Sequence, residues 1–344
     1  MGNSGGTTPS LVRPYAPADR AALVDLLRQV WPNKRPLEPH VDTRWWWQLP
    51  SPPIYVVEDR DAGGLAGLCA YLPFHLHTRG HAQSAAWFVD FYVLPGHQGR
   101  GFGKQLTQAV QERFDVTASL SQTAMAWRVF EKLGWRPRAE VQLSMHPWPK
   151  TWMFREQSGC EIVRVPIDAQ LPVRAELDAL WARVAPAFPA IAARTSDDIL
   201  RRYASHGDRA YELLVARRGT ECAGYAVVRR ALRSEKGHEG LIVDVLAAPQ
   251  DTDTFGALLS ASSRRLLELG AERIYCLVTP EAWRGVLARH GFLSAATPLL
   301  GGRLRSQTKY LTWTARDAAS VPDPAEWFVT LGDCDLDLVW QRTA

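Results

Sequence analysis

A short pattern occurs twice in this chain, and the repeat limits the folds open to it. Asp90-x-x-Val93-x-Pro95 returns as Asp244-x-x-Ala247-x-Pro249, 154 positions later. Phe102-Gly103 returns as Phe255-Gly256, Ala126-Trp127-Arg128 as Ala282-Trp283-Arg284, and Leu133-Gly134-Trp135 as His290-Gly291-Phe292. Agreement in order, spacing and residue type at four places predicts duplication of one α/β unit. A length of 344 residues is also long for a single hydrophobic core.

Within the first copy, Pro17 opens a helix with Leu23, Leu26, Leu27, Val30 and Trp31 on one face. Leu177, Leu180, Trp181 and Val184 make the matching helix of the second copy. Asp42 to Leu49 reads as a second short helix, stopped by Pro50, Pro52 and Pro53. Ile54–Glu58, Leu65–Thr78 and Ser84–Leu94 read as strands, joined by glycine-containing turns. The third is apolar almost throughout, as expected of a central strand covered on both faces. A helix with Phe102, Leu106, Ala109, Val110 and Phe114 follows, then a strand over Val116–Leu120, then a helix ending at Gly134. The predicted class is α/β (α+β), two tandem units, each a mixed central sheet flanked by helices. The expected divisions are a polar start (1–9), two units (10–150 and 151–314) and an acidic, aromatic tail (315–344). Trp327, Phe328, Leu331, Leu336, Leu338 and Trp340 predict that the tail packs onto the protein.

Charge narrows the partners. Residues 1–150 hold 16 Lys and Arg against 12 Asp and Glu, whereas the remainder holds 24 against 24. A local excess of four suits an anionic ligand and falls short of the dense basic stripe that nucleic acid requires. No apolar run approaches the roughly 20 residues of a membrane span, and Met1 to Ser10 is not a secretion signal. Five scattered cysteines fit neither a disulfide framework nor a zinc site. The expected location is therefore cytoplasmic, with no membrane and no nucleic-acid partner; nothing in the pattern sets an oligomeric state.

The chemistry sits between a buried strand and a helix, in Gln98-Gly99-Arg100-Gly101-Phe102-Gly103-Lys104. Glycines let backbone turn tightly and approach a ligand with no Cβ in the way. The helix start offers unpaired N–H groups and the positive end of the macrodipole, a site for phosphate. Arg100 and Lys104 add charge there, so the arrangement supports gripping a pyrophosphate. It is not the dinucleotide fingerprint, because the glycines are spaced differently and no ribose-binding acid stands at the required distance.

With Asp90-x-x-Val93-x-Pro95 ahead of it, this loop resembles motif A of the GNAT superfamily of N-acetyltransferases. Ala126 to Trp135, ending Gly134-Trp135, resembles that superfamily's late helix. The resemblance covers residues 10–148 strongly and 160–314 as a degenerate second copy. It implies that acetyl- or another acyl-coenzyme A, with no metal, lies in a splay between the fourth and fifth strands. Backbone N–H groups of Gln98, Gly99, Arg100, Gly101, Phe102, Gly103 and Lys104 would hold the pyrophosphate. The backbone of Phe91, Tyr92, Val93 and Leu94 would pair with the pantetheine and polarise the thioester carbonyl. A primary amine would attack directly, without a covalent enzyme intermediate.

Asp90 matches a position where such enzymes often keep an acid, to orient the amine or relay its proton. The alternative is a strand acid serving the fold, favoured by its repetition as Asp244. Relatives often carry Asn where Thr123 stands and a proton-donating Tyr where Phe130 stands; Phe130 has no hydroxyl. Ser121 or Thr123 would then serve through water. The expected acceptor is a small molecule such as an amino sugar, amino acid or metabolite, since no acidic cluster offers itself to a polybasic peptide. The rival reading is a non-catalytic acyl-coenzyme A sensor or scaffold, supported by Phe130.

In the second copy Pro249-Gln250-Asp251-Thr252-Asp253-Thr254 stands where the loop should be, and its carboxylates would repel a pyrophosphate. Trp45-Trp46-Trp47 reads first as helix packing and second as a stacking surface for the acceptor. His75, His77 and His81 read as a solvated hairpin, since no acid or thiol accompanies them as a metal ligand. His97 reads as exposed or as an aid to the anionic ligand.

Overall fold

The computed structural model describes residues 12–30, 52–59, 63–154, 159–204, 210–232, 238–294 and 308–338. The helix expected over Asp42–Leu49, Trp31 and the Trp45–Trp47 run lie outside the described residues. The first half forms β1 (Val12–Pro14), α1 (Arg20–Val30), β2 (Ile54–Asp59), β3 (Gly64–Thr78) and β4 (His81–Val93). It continues with α2 (Phe102–Gln111), β5 (Val116–Leu120), α3 (Ala124–Lys132), β6 (Ala139–Val141) and β7 (Leu143–His146). The second half runs through β8 (Glu161–Val165), α4 (Arg174–Val184), β9 (Ala190–Ala192), α5 (Ser196–Tyr203), β10 (Tyr211–Arg218) and β11 (Glu221–Leu232). It ends with β12 (His238–Ala247), α6 (Thr252–Glu268), β13 (Ala271–Leu277), α7 (Glu281–Arg289), β14 (Lys309–Ala315) and β15 (Trp327–Phe328).

Pro17 starts a 3-10 turn that leads into α1, and Leu23, Leu26 and Leu27 are buried on its inner face. Each such side chain contributes roughly 1.5–3 kcal/mol by leaving water. Two mixed sheets form, and in each a central parallel pair, β4–β5 or β12–β13, sits among antiparallel neighbours; the first sheet also holds the parallel pair β9–β15. Both copies carry the same irregularities. Val89 is the extra residue of a bulge in β4 and Val243 of a bulge in β12, 154 positions on. A Cβ at Gly67 would lie 2.7 Å from the Tyr92 carbonyl, and one at Gly224 would lie 2.7 Å from that of Leu246. Bulges re-aim strands, and shared ones mark shared geometry.

The structure shifts one element of the repeat. α3 is capped by Thr123 and followed by Gly134; α7 is capped by Pro280 and followed by Gly291. Both pairs are 157 apart, so Trp283 takes the place of Ala126, and the match of Ala126-Trp127-Arg128 to Ala282-Trp283-Arg284 is one residue out of register. Two tryptophans, each read against the other, had set the sequence alignment.

The halves of the sequence and the two sheets are not the same partition. β14, near the end of the second half, inserts between β5 and β6 of the first sheet. In return β7 pairs with β13 at the edge of the second sheet. The chain crosses at Gln142, the one residue between β6 and β7. The exchange supplies each sheet with a strand that its own half does not provide.

The tail packs, as its aromatic content predicts. β15 pairs with β9, which pairs with β3, and the Trp327 ring lies 6.0 Å from Trp87 and 6.4 Å from Trp313.

Candidate functional site

β4 and β5 stay paired only as far as Phe88 and Ser119, after which β4 runs on to Val93 while β5 ends at Leu120. The strands therefore diverge, and a cleft of about 790 Å³ lies beside the divergence. Phe91, Tyr92 and Val93 form one wall, the glycine loop another, and Thr123, Ala126 and Val129 of α3 a third.

The loop has the backbone its glycines predict. Gly99 and Gly101 have φ of +80° and +83°, where a side chain is strained, and a Cβ on either would project into space rather than into protein. Gly101 precedes α2 with no side chain to cap it, so the first-turn N–H groups stay available to an anion. Gly103 has another reason to be small: a Cβ there would lie 3.4 Å from Phe91 and 3.5 Å from Val129. Gln98 Nε2 donates to the Val93 carbonyl at 3.0 Å and ties the loop to β4. Arg100 and Lys104 are exposed at this end. Arg128 and Lys132 join them at the cleft, i and i+4 on α3. Their spacing was visible in the sequence; that this face of α3 meets the loop was not.

The other expected residues are distributed unevenly. Thr123 lines the cleft, and its Oγ1 accepts from the Ala126 N–H at 3.2 Å, capping α3. Ser121 is exposed with φ of +73°, unusual for a residue other than glycine, and its N–H donates to the Tyr310 carbonyl at 3.0 Å. Asp90 is 3% exposed and is not among the residues lining the cleft. Burial pushes the thiol of neighbouring Cys69 well up, and the Asp90 charge adds to that. Phe130 is 1% exposed, stacked on Trp135 at 4.2 Å and close to Phe88 and Phe91. That position is sealed into an aromatic cluster.

His97 is half-buried and lines the cleft, and its Nε2 lies 3.0 Å from Asp59 Oδ2. His77 does not sit on a solvated hairpin. β9 pairs with β3 at Leu76–Thr78, and the His77 ring meets Trp181 edge-on at 5.0 Å. Burial, with His75 nearby, pushes its pKa down. Among the described residues no group of His, Cys and acids could hold a metal ion, and no helix is long and apolar enough to cross a membrane.

The second copy closes the same geometry. Asp251 caps α6, accepting from the Thr254 N–H at 3.0 Å and its hydroxyl at 2.8 Å, and pairs with Arg218 at 3.2 Å. Partial burial works against ionisation, but these bonds hold the Asp251 carboxyl below its usual range. Trp283, 0% exposed, stacks on Phe255 at 4.4 Å where the first copy has Ala126 and a cleft. Asp244, the counterpart of Asp90, is a structural hub. It pairs with buried Arg194 at 3.1 Å and accepts from Thr330 at 2.9 Å and Tyr225 at 3.1 Å.

Residues 20–135 match the model of the Acetyltransferase (GNAT) family. No curated protein matches the sequence significantly. Among solved structures, a GCN5-related N-acetyltransferase from Anabaena variabilis aligns with 90% of this chain and 73% of its own, at 13% identity and TM-score 0.60. An acetyltransferase from Pyrococcus horikoshii, described as putative, aligns over 97% and 98%, at 12% identity and TM-score 0.57. A GCN5-related N-acetyltransferase from Sphaerobacter thermophilus aligns over 88% and 95%, at 16% identity and TM-score 0.54. At these identities the likeness is one of fold, and it extends over both units.

Proposed function

We propose that the protein, whose residues 20–135 match the model of the Acetyltransferase (GNAT) family, is an acyl-coenzyme A-dependent N-acyltransferase acting on a primary amine of a small molecule. The observation that carries this reading is the uncapped α2 N-terminus behind two left-handed glycines, set against diverging strands. The residues present fit the donor: backbone N–H groups from Gln98 to Lys104 hold the pyrophosphate, with Arg100 and Lys104 beside them. The donor supplies an activated thioester carbonyl when bound. The cleft-facing edge of β4, from Phe91 to Leu94, pairs with the pantetheine and stabilises charge developing on the carbonyl oxygen.

The acceptor nitrogen attacks the carbonyl carbon, the carbon–sulfur bond breaks, and one proton must leave nitrogen as another reaches sulfur. Thr123 and Ser121, at the end of β5, donate to the leaving thiolate through water, since Phe130 has no proton to give. Asp90 receives the amine proton through water; its burial makes it the most sequestered of the three. Among the described residues no Asp or Glu lines the cleft to hold a polybasic peptide, which supports a small acceptor. A second reading, an acyl-coenzyme A sensor without turnover, draws on Phe130 sealed among Phe88, Phe91 and Trp135.

A thermal shift with acetyl-coenzyme A, followed by thiol release with a panel of amines, tests both. A ligand that binds the folded state must raise the melting temperature. Amine-dependent release establishes the enzyme; a shift without release under any amine favours the sensor; no shift at millimolar ligand removes the loop assignment.

A further inference from the structure

Trp148, Trp152 and Met153 are held in water, whereas most large apolar side chains of this chain are not. Among the described residues only four such side chains are exposed, and these three fall within six consecutive positions. The fourth, Met125, lines the cleft. Trp148 is 71% exposed, Trp152 73% and Met153 40%, whereas Trp87, Trp135, Trp181, Trp283, Trp313 and Trp327 are buried. An indole gains more than almost any other side chain by leaving water, so two left out side by side mark a surface that something covers.

The exposure is built into the backbone. The three residues lie in the segment that takes the chain from β7 to β8, the two opposite edges of the second sheet. Pro147, Pro149 and Phe154 are buried and pin that segment, with the Phe154 ring 5.4 Å from His146. Between these anchors the Met153 N–H donates to the Lys150 carbonyl at 2.9 Å and the Phe154 N–H to that of Thr151 at 3.2 Å, closing a 3-10 turn. A segment fixed in this way has little conformational freedom left to lose when its outer face meets a partner.

We propose that this face is the two-fold contact of a homodimer, with Trp148, Trp152 and Met153 of one copy packed against the same residues of the other. Area fits a protein partner: the two indoles and the methionine offer roughly 400 Å² of apolar surface. A standard interface takes about 800 Å² from each partner, about 500 Å² of it apolar, so the patch supplies most of the apolar centre of one. Tryptophan is also a residue that dominates the energy of such centres. Charge selects the partner. From Val141 to Phe154 the segment has no Asp or Glu and a single Lys or Arg, Lys150, whose exposed ammonium stays in water at the rim. Residues 151–344 hold 24 Lys and Arg against 24 Asp and Glu, so the unit bearing the patch neither repels its own copy nor selects a partner of opposite sign. An apolar patch on a neutral unit is complementary to itself under a two-fold rotation, the commonest symmetry of soluble oligomers. None of the three residues lines the cleft, so the contact leaves the cleft open.

Sedimentation velocity of the full chain tests this from about 1 to about 100 µM, spanning the weak end of standard interfaces. The wild-type protein is expected at twice the chain mass, and its melting temperature is expected to rise with protein concentration. The double variant Trp148→Ala, Trp152→Ala is expected to raise the dimer Kd at least about a hundredfold and to lose the concentration dependence of melting. Both residues are exposed in the single chain, so circular dichroism and melting at the lowest concentration should match the wild type. Met125→Ala, which alters the remaining exposed side chain, should leave the dimer intact. A wild-type monomer throughout the range overturns the proposal, and so does a dimer that the double variant retains or that Met125→Ala dissociates. A monomeric wild type that binds vesicles of phosphatidylcholine and phosphatidylglycerol only while both tryptophans are present overturns it in favour of a membrane surface. Acetyl-coenzyme A is left out of every arm, so the result stands apart from the function proposed above.

Discussion

The two copies share strand order, bulges and helix order, yet they treat the same helix start in opposite ways. In the first, Gly101 leaves the α2 N–H groups unbonded by any side chain, and Ala126 leaves space behind them. In the second, Asp251 bonds the helix start itself, Trp283 and Phe255 fill the volume, and the tail enters between the strands. A duplicated backbone therefore does not carry an open helix start with it. That openness lies in which groups satisfy the exposed N–H donors and which side chains occupy the divergence.

The comparison can be broken at several points. The largest effect is expected from separating the copies: a fragment of residues 1–150 lacks β14, so β5 and β6 lose the strand between them. It should show no cooperative thermal transition by circular dichroism, while co-expression with residues 151–344 should restore one. Trp283→Ala removes a fully buried indole and should cost about 3–5 kcal/mol in urea unfolding, without creating a second acetyl-coenzyme A site. A stoichiometry of two in that variant would show that volume alone silences the second copy.

Gly101→Asp adds a carboxylate and left-handed strain to the loop. It should weaken acetyl-coenzyme A by roughly a hundredfold, the factor that ~3 kcal/mol carries. Retained affinity would remove the loop from the site. The smallest effect concerns the cap: Asp251→Ala should cost about 1 kcal/mol at neutral pH. Because the folded carboxyl titrates below its usual range, the wild-type advantage is full above the unfolded value near ~4 and is lost as pH falls through the lower folded value. Melting curves of the two proteins should therefore converge in acid; a gap that persists at pH 2 would mean that the cap acts by packing.

Much of the first copy was legible before the structure. The strand ending in Val93, the glycines at 99, 101 and 103, and the helix from Phe102 all follow from local rules of period, turn and helix start, and β5 spans the expected Val116–Leu120. The degenerate loop at Asp251 was equally plain, because charge is written in residue identity. Less legible was the neighbourhood of each side chain. Asp90 reads as a candidate acid, but only packing shows it buried away from the cleft walls. His97 reads as exposed or as an aid to the anionic ligand, but only the fold brings Asp59 to it. The alignment of Trp127 with Trp283 rested on residue type, and the helix caps corrected it by one position.

By itself the sequence determined the duplicated unit, the element types and the glycine turn before α2, since these depend on residues a few positions apart. Tertiary structure alone decided the exchange of β7 and β14, the burial of the tail against Val243 and Thr279, and the isolation of the Gln122 carboxamide. Each of these joins residues roughly fifty to two hundred positions apart, or rests on the partner a side chain does not find among the described residues. Local pattern carries no record of such distances; they are settled when strands compete for the same sheet edge and buried polar groups compete for partners.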